Sequence, residues 1–303
     1  MSKITAIGAV VMDTLVSLDR YPTEDTKVKA LGMKSVGGGP AGTGIVAASK
    51  LGAECSFIGN LSDDAGGVFL KGDFEKYGVS TDYIKIHEGK RSFISQIWLS
   101  AKEKTRTIIF DRGNVPGTVL DDAQKKEISE CDVLMVDGND LEGAIEAAKY
   151  AHTVGTKVLY DAGGRYEGVE RLLPLVDILI PSEEFALGVS GKATVEEAVE
   201  WMYNEYNAEV VVATCGKRGG VIYEGKELKS YPALPAEVVD SNGAGDVFHG
   251  AFAFASTVYD DYYKCCIFSS AVSAIKCMGI GARESVPDLE TVQKYLKENG
   301  YEL

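Results

Sequence analysis

Short apolar runs and helix-period stretches alternate along most of the chain. Strand-like runs fall at Ile4–Val11, Ser56–Gly59, Val133–Val136, Lys157–Tyr160, Ile178–Ile180 and Glu209–Ala213. Between most of them lie stretches with apolar residues every three or four positions: Ala41–Leu51, Asp64–Tyr77, Leu141–His152 and Thr194–Tyr206. A short, continuous apolar run marks a strand buried on both faces. Its alternation with helices of this length predicts β-α-β units and a parallel sheet covered on both sides. The last part of the chain reads as helical, over Ala244–Thr257, Asp261–Met278 and Leu289–Asn299.

Two stretches break the alternation. Val16–Val36 and Phe93–Phe110 carry period-2 segments, such as Ser95-Gln96-Ile97-Trp98-Leu99 and Thr105–Phe110, with no helix between them. Such segments predict a small β-sheet inserted into the α/β body. The expected division is a core of residues 1–15, 37–90 and 114–303, and a lid of residues 16–36 and 91–113. No Pro/Ser linker separates the parts, and no repeat of 20–50 residues is visible.

Composition narrows the functional classes. The chain has 303 residues and a formal charge of −14. An acidic surface lacks the electrostatic footprint of a nucleic-acid binder and is repelled by anionic lipid. No apolar run approaches the roughly 18 residues of a membrane span, and the N-terminus reads as a first strand rather than a signal peptide. Six scattered cysteines without a C-x-x-C pair predict reduced thiols and a cytoplasmic protein. A phosphate ligand would have to be attracted locally, by backbone amides or a few basic groups.

Glycines cluster where such amides would be needed. Gly37-Gly38-Gly39-Pro40-Ala41-Gly42 fits G-x-G-x-x-G, but it does not close the first strand of a β-α-β unit, as a dinucleotide fingerprint must. It reads instead as small residues opening the helix Ala41–Leu51 beside a polar ligand, or as a tight turn. Thr214-Cys215-Gly216-Lys217-Arg218-Gly219-Gly220 follows an apolar strand and presents amides at the carboxyl edge of the sheet, where α/β proteins bind ligands. A plain hairpin turn is the alternative.

The most informative stretch is Asp240-Ser241-Asn242-Gly243-Ala244-Gly245-Asp246, which runs into a helix that is small and apolar on all sides. Small residues at a helix start leave amides uncovered, and the helix dipole adds positive potential. That suits charge developing on a phosphoryl group in flight. Asp246, in the first turn, can accept a proton from an attacking hydroxyl. His249, three positions on, reads as a packing or hydrogen-bonding residue. His87 and His152 lie far apart, without metal-ligand spacing.

These motifs resemble the ribokinase (PfkB) family of sugar kinases over essentially the whole chain. Residues 240–246 are similar to the family's Asp-Thr-x-Gly-Ala-Gly-Asp signature, and Gly38-Gly39 with Leu51-Gly52 and Gly59–Gly66 match its N-terminal one. The resemblance implies a three-layer α/β/α sandwich with a mostly parallel sheet and a β-sheet lid. It implies Asp246 as catalytic base, with Gly243, Ala244 and Gly245 as the anion hole. Asp13, Gly38, Gly39 and Thr43 would hold the sugar, and Thr214, Gly216 and Gly219 the nucleotide. ATP and Mg²⁺ follow as reactants, with a monovalent cation as an optional activator and a homodimer formed through the lid.

The chain departs from the family at three points. Thr43 replaces a sugar-binding Asn. Phe185 stands where a Glu associated with metal and phosphate is usual, which leaves Glu183 as the substitute. Asp161-Ala162-Gly163-Gly164-Arg165 keeps the ends of an Asp-x-Asn-x-Arg pattern without its Asn. The wording around Gly37–Thr43 and Gly243–Gly250, with Lys276, Cys277, Arg283, Pro287 and Asp288, is similar to the sulfofructose kinase branch. A sulfonate or phosphate on the sugar needs a cationic clamp, for which Lys27, Lys29, Arg91 and Arg112 are candidates beside the reading of solvated surface cations. The acceptor class thus spans ketohexose, pentose and sulfo-sugar. A nucleoside kinase, with Trp98 and Phe110 clamping the base, and a non-catalytic sugar-binding relative are the alternatives.

Overall fold

In the computed structural model, which describes residues 2–103 and 105–303, the chain folds into a core sandwich and a separate small sheet. The first half contains β1 (Lys3–Ile7), β2 (Val11–Leu18), β3 (Gly32–Gly38), α1 (Pro40–Lys50), β4 (Glu54–Phe57), β5 (Gly59–Ser62) and α2 (Ala65–Lys76). It continues with β6 (Val79–Ser80), β7 (Ile84–His87), β8 (Ile94–Ser100), β9 (Thr105–Asp111), α3 (Asp122–Glu130), β10 (Val133–Val136) and α4 (Leu141–Val154). The second half supplies β11 (Lys157–Ala162), β12 (Ile178–Pro181), α5 (Glu183–Ser190), α6 (Val195–Tyr206), β13 (Val210–Thr214), β14 (Gly220–Glu224) and β15 (Glu227–Tyr231). Three helices close the chain: α7 (Ala244–Ala255), α8 (Tyr262–Cys277) and α9 (Leu289–Glu298).

The core sheet has nine strands in the order β15-β14-β13-β12-β11-β10-β1-β4-β6. Every neighbouring pair from β13 across to β6 is parallel, and only β14 and β15 run antiparallel at one edge. Strand alternation sends side chains to both faces. Ile4, Ala6, Met135, Leu159 and Ile180 pack on one side with α1, α7 and α8. Ile7, Leu134, Val136, Tyr160 and Leu179 pack on the other with α4, α5 and α6. This is the expected three-layer sandwich. All six cysteines are free thiols.

The second sheet has the order β3-β2-β8-β9, and a third pairs β5 with β7 in parallel. In the lid sheet β2 is antiparallel to β3 and parallel to β8, which is antiparallel to β9. The sheet begins at Val11, upstream of the expected boundary. The run Ile4–Val11 is therefore two strands rather than one, because Ala9 leaves the ladder to donate its amide to Asp137 Oδ2 at 2.8 Å.

Helix α3 escaped the periodicity because only Gln124, Glu127 and Ile128 are buried in it. It is set instead by a capping box, in which Asp121 and Gln124 exchange backbone hydrogen bonds. The helices read from periodicity at the C-terminal end form within one or two residues of their expected bounds. Residues 247–255 of α7 are all buried, as an all-round apolar helix should be.

Candidate active site

Helix α7 starts at the glycine-rich loop, and its cap requires glycine. Gly243 takes a left-handed φ of 74°, and a Cβ there would sit 2.6 Å from the Ala282 Cβ. The Ala244 amide is used within the loop, donating to the Ser241 carbonyl at 3.2 Å. Among the described residues, the amides of Gly243, Gly245 and Asp246 find no backbone acceptor. The open donors are thus Gly243, Gly245 and Asp246 itself, where the sequence suggested Gly243, Ala244 and Gly245. The loop is pinned from behind: Asp240 Oδ2 accepts the Gly281 amide at 2.9 Å, and Lys276 Nζ donates to the Asp240 carbonyl at 2.7 Å.

Asp246 sits part-exposed in the cleft. Its carboxyl is pushed up to about 7, chiefly by burial and then by the Asp161 charge, while His249 and Arg283 pull the other way. A carboxyl poised near neutrality can both take and release a proton.

One turn on, His249 is almost wholly buried. Its Nδ1 lies 2.6 Å from the Gly245 carbonyl and 3.2 Å from Asp161 Oδ2, and its Nε2 lies 3.0 Å from the Ile180 carbonyl. Burial lowers its pKa, while the two carbonyls and Asp246 act in the opposite sense. Burial also pushes Asp161 up to about 8, with Asp137 adding to the shift.

Beside the helix start opens a cavity of 810 Å³. Thr214, Gly216 and Gly219 line it together with Ser241, Ala244 and Gly245. The segment from Thr214 to Gly220 is the turn of the β13–β14 hairpin, and the same turn forms part of the cavity wall. The cavity is large enough for a nucleotide, given that ligand pockets run about 300–1,000 Å³.

On the lid side, Asp13 lies on β2, and Ser95 Oγ donates to its Oδ1 at 2.5 Å. Burial raises the Asp13 pKa, against the Ser95 hydrogen bond and the Arg283 charge. Gly38 faces it across the sheet edge, where a Cβ would come within 1.9 Å of Asp13 Oδ2. Only glycine leaves room for that carboxylate. Gly39 is buried against the Ala9 carbonyl.

Register fixes which lid residues share the Asp13 face. Asp13 pairs with Ser95, and Ser95 with Phe110, so the three stand in one row. Trp98 is of opposite parity and faces away. It is therefore no partner of Phe110 in clamping a base.

Arg283 ties the two halves together. It is fully buried, donates from Nη1 to Asp73 Oδ2 at 2.5 Å and from Nη2 to the Gly38 carbonyl at 2.7 Å, and its charge acts on both Asp13 and Asp246. Asp137, at the carboxyl end of β10, accepts from the amides of Ala9, Ala41 and Asn139 and so joins the first strand, α1 and β10.

Two expected site residues are placed otherwise. Thr43 is completely buried, and among the described residues its hydroxyl has no hydrogen-bond partner. Glu183, the substitute metal residue, is ion-paired with Arg218 at the start of α5. Among the described residues no cluster of three or more His, Cys, Asp or Glu could hold a metal. Of the candidate cations, Lys27 and Lys29 stand on the exposed loop after β2, and Arg91 is paired with Asp111 at 2.7 Å.

Sequence reasoning missed Ser95, Asp137 and Arg283 as members of this assembly. Asp137 had a usable signal, a carboxylate directly after a buried parallel strand. Ser95 had none, because only the register brings it to Asp13.

An uncommitted helix N-terminus, a carboxylate in its first turn and a nucleotide-sized cavity thus stand together at the start of α7. The sequence model of the family described as pfkB family carbohydrate kinase matches residues 1–289, and the chain belongs to that family. It is 28% identical to the ribokinase of Lactococcus lactis over 98% of both chains. It is 25% identical to the ribokinase of Bacillus subtilis over 98% of this chain and 100% of that one. Its fold matches the structure of Arabidopsis thaliana ribokinase complexed with ribose and ATP at a TM-score of 0.88. That match covers 98% of this chain and 99% of the other, at 24% identity. The protein is accordingly a carbohydrate kinase, a phosphotransferase with an alcohol group as acceptor. No helix among the described residues is long and apolar enough to cross a membrane.

Proposed function

We propose that this chain transfers the γ-phosphoryl group of ATP to a hydroxyl of a small sugar, with Asp246 as the general base. The observation that carries the reading is the start of α7, where open amides of Gly243, Gly245 and Asp246 stand beside a carboxyl held near neutrality. The nucleotide would lie in the cavity lined by Thr214, Gly216 and Gly219, its phosphates toward Gly245. Magnesium would arrive bound to the nucleotide phosphates and keep most of its waters, since the described residues offer no carboxylate cage.

The sugar would sit beneath the lid, its hydroxyls toward Asp13 and the Gly38-Gly39 turn. Asp246 takes the proton of the attacking hydroxyl, and the amides stabilise charge on the transferring group. Positioning and electrostatics supply the rate, and the protein makes no covalent bond. Ribokinases among the relatives make pentoses the first acceptors to try. The nucleoside reading is weakened by Trp98, which points away from the Asp13 face, and the non-catalytic reading by the intact Asp246.

ADP release is the test, measured with MgATP against ribose, fructose, sugar phosphates, sulfofructose and nucleosides. Turnover with a sugar and not with nucleosides supports the reading. Nucleoside turnover alone, or none with any acceptor, overturns it.

A further inference from the structure

The cavity that runs under the lid, about 260 Å³ in volume, contains a cation that the transfer machinery does not use. Its walls include the backbone of Gly8–Val10 and the side chains of Asn60, Phe93, Arg112, Asn139 and Asp140. Among the described residues that line it, Arg112 is the one basic residue and Asp140 the one acidic residue. The Asp140 carboxylate is turned to its own neighbourhood, accepting the Thr118 amide at 2.9 Å.

Arg112 forms no ion pair with any described residue. The adjacent carboxylate, Asp111, is taken by Arg91. The Arg112 guanidinium lies over three aromatic rings, 5.3 Å from the Phe93 centroid, 5.9 Å from Phe110 and 6.0 Å from Tyr166. Its polar contacts among the described residues are long ones, 3.4 Å from each Nη to Asn139 Oδ1. Aromatic rings hold a guanidinium in place without consuming its hydrogen-bond donors. Asn139 is fixed in turn by donating to the Tyr166 hydroxyl at 3.1 Å. The fork is therefore pre-ordered and open.

The position has meaning because of the register. Phe110 shares the lid face of Ser95 and Asp13, and Arg112 follows two residues on, just past the end of the same strand. One lid face thus carries a carboxylate suited to hydroxyls and, beside it, a guanidinium suited to an anion. An unpaired cation kept at a pocket wall in a chain of charge −14 is placed to select charge.

Resting on the sugar-kinase reading above, we infer that Arg112 binds an acidic group on the acceptor, so that the substrate is a sugar bearing a phosphate, sulfonate or carboxylate. The experiment compares kcat/KM for ribose and fructose with that for fructose 6-phosphate, 6-deoxy-6-sulfofructose and 2-ketogluconate, in wild type and in Arg112→Ala and Arg112→Lys. The three acids distinguish the three kinds of anion. Wild type should prefer at least one acid over the neutral sugars by about tenfold or more. Arg112→Ala should reduce that acid-over-neutral preference by about 10- to 100-fold, the usual worth of a charge-assisted hydrogen bond, with partial recovery in Arg112→Lys.

An equal loss for acidic and neutral sugars in Arg112→Ala, or a wild-type preference for neutral sugars, overturns the assignment. The unliganded melting temperature serves as the folding control. If no acceptor yields ADP, the kinase reading falls and Arg112 is judged by binding alone. A thermal shift with one of the three acids that Arg112→Ala loses supports the assignment, and no shift with any of them overturns it.

Discussion

His249 Nδ1 stands 3.2 Å from Asp161 Oδ2, with both side chains only 3% exposed, one helical turn from Asp246. Both ring nitrogens face oxygen acceptors, an arrangement that only the doubly protonated ring satisfies in full. His249, Asp161 and Asp246 act on one another across this short distance, and their protons belong to the cluster rather than to any single member.

The pH profile should show this coupling. Asp246 acts as a base only when ionised, so kcat/KM should fall as pH drops below about 7. Asp161 and Asp246 compete for protons at the same site, so Asp161→Asn, which removes one of the two carboxyls, should displace the acid limb. The His249 charge lowers the Asp246 pKa, so His249→Gln should move the limb upward. Limbs that stay in place in both variants would refute the coupling. The stability sign is opposite: a carboxyl raised from 3.8 to about 7 on folding favours the native state at low pH, and that contribution is lost as pH rises through about 7.

Asp246→Asn should lower kcat by about 10²–10⁴-fold, the worth of a general base, with little change in ATP affinity. Steady-state kinetics alongside nucleotide titration checks both halves. A kcat within about twofold of wild type would remove Asp246 from the role.

Arg283 is the strut between α2 and the end of β3, and removing it strands a carboxylate. Arg283→Met should cost about 3–5 kcal/mol, because it leaves Asp73 largely buried without its partner. Pairing it with Asp73→Leu should recover part of the loss, since the uncompensated charge goes too. Denaturant melts of the two variants decide it, and equal losses would show that the Gly38 contact, not the ion pair, is what matters.

Glu183 is committed to Arg218, so Glu183→Gln should leave the magnesium dependence of turnover where it was. A several-fold rise in the magnesium requirement would restore Glu183 to the metal.

The lid's outer strand invites a second copy. β9 is exposed along its whole length at the edge of its sheet, with Ile108 48% and Ile109 51% exposed. An unpaired, apolar edge of this kind is normally covered. Sedimentation should give a dimer for wild type and a monomer for the Ile108→Lys/Ile109→Lys double variant. A wild-type monomer would end the proposal.

The sequence by itself determined the layers and the reacting helix end. Short apolar runs such as Val133–Val136, spaced between helix-period stretches, mark strands buried on both faces, and the small residues before Asp246 leave the Gly243, Gly245 and Asp246 amides uncovered. Those are properties of neighbouring residues, so a linear pattern carries them. The polar α3, held by its cap rather than by an apolar stripe, was invisible to periodicity for the same reason.

Tertiary structure decided what depends on distant partners. Pairing 82 residues apart in sequence puts Ser95 on Asp13, and pairing 210 apart puts Arg283 on Asp73. Strand parity turned Trp98 away from the pocket and kept Phe110 on the Asp13 face. Thr43 stands where the family pattern has Asn, and Glu183 is the candidate substitute for a Glu missing at Phe185, yet one is enclosed and the other is taken by Arg218. A motif fixes which residue stands at a position, while burial and the charges brought up from other elements fix what that residue can do.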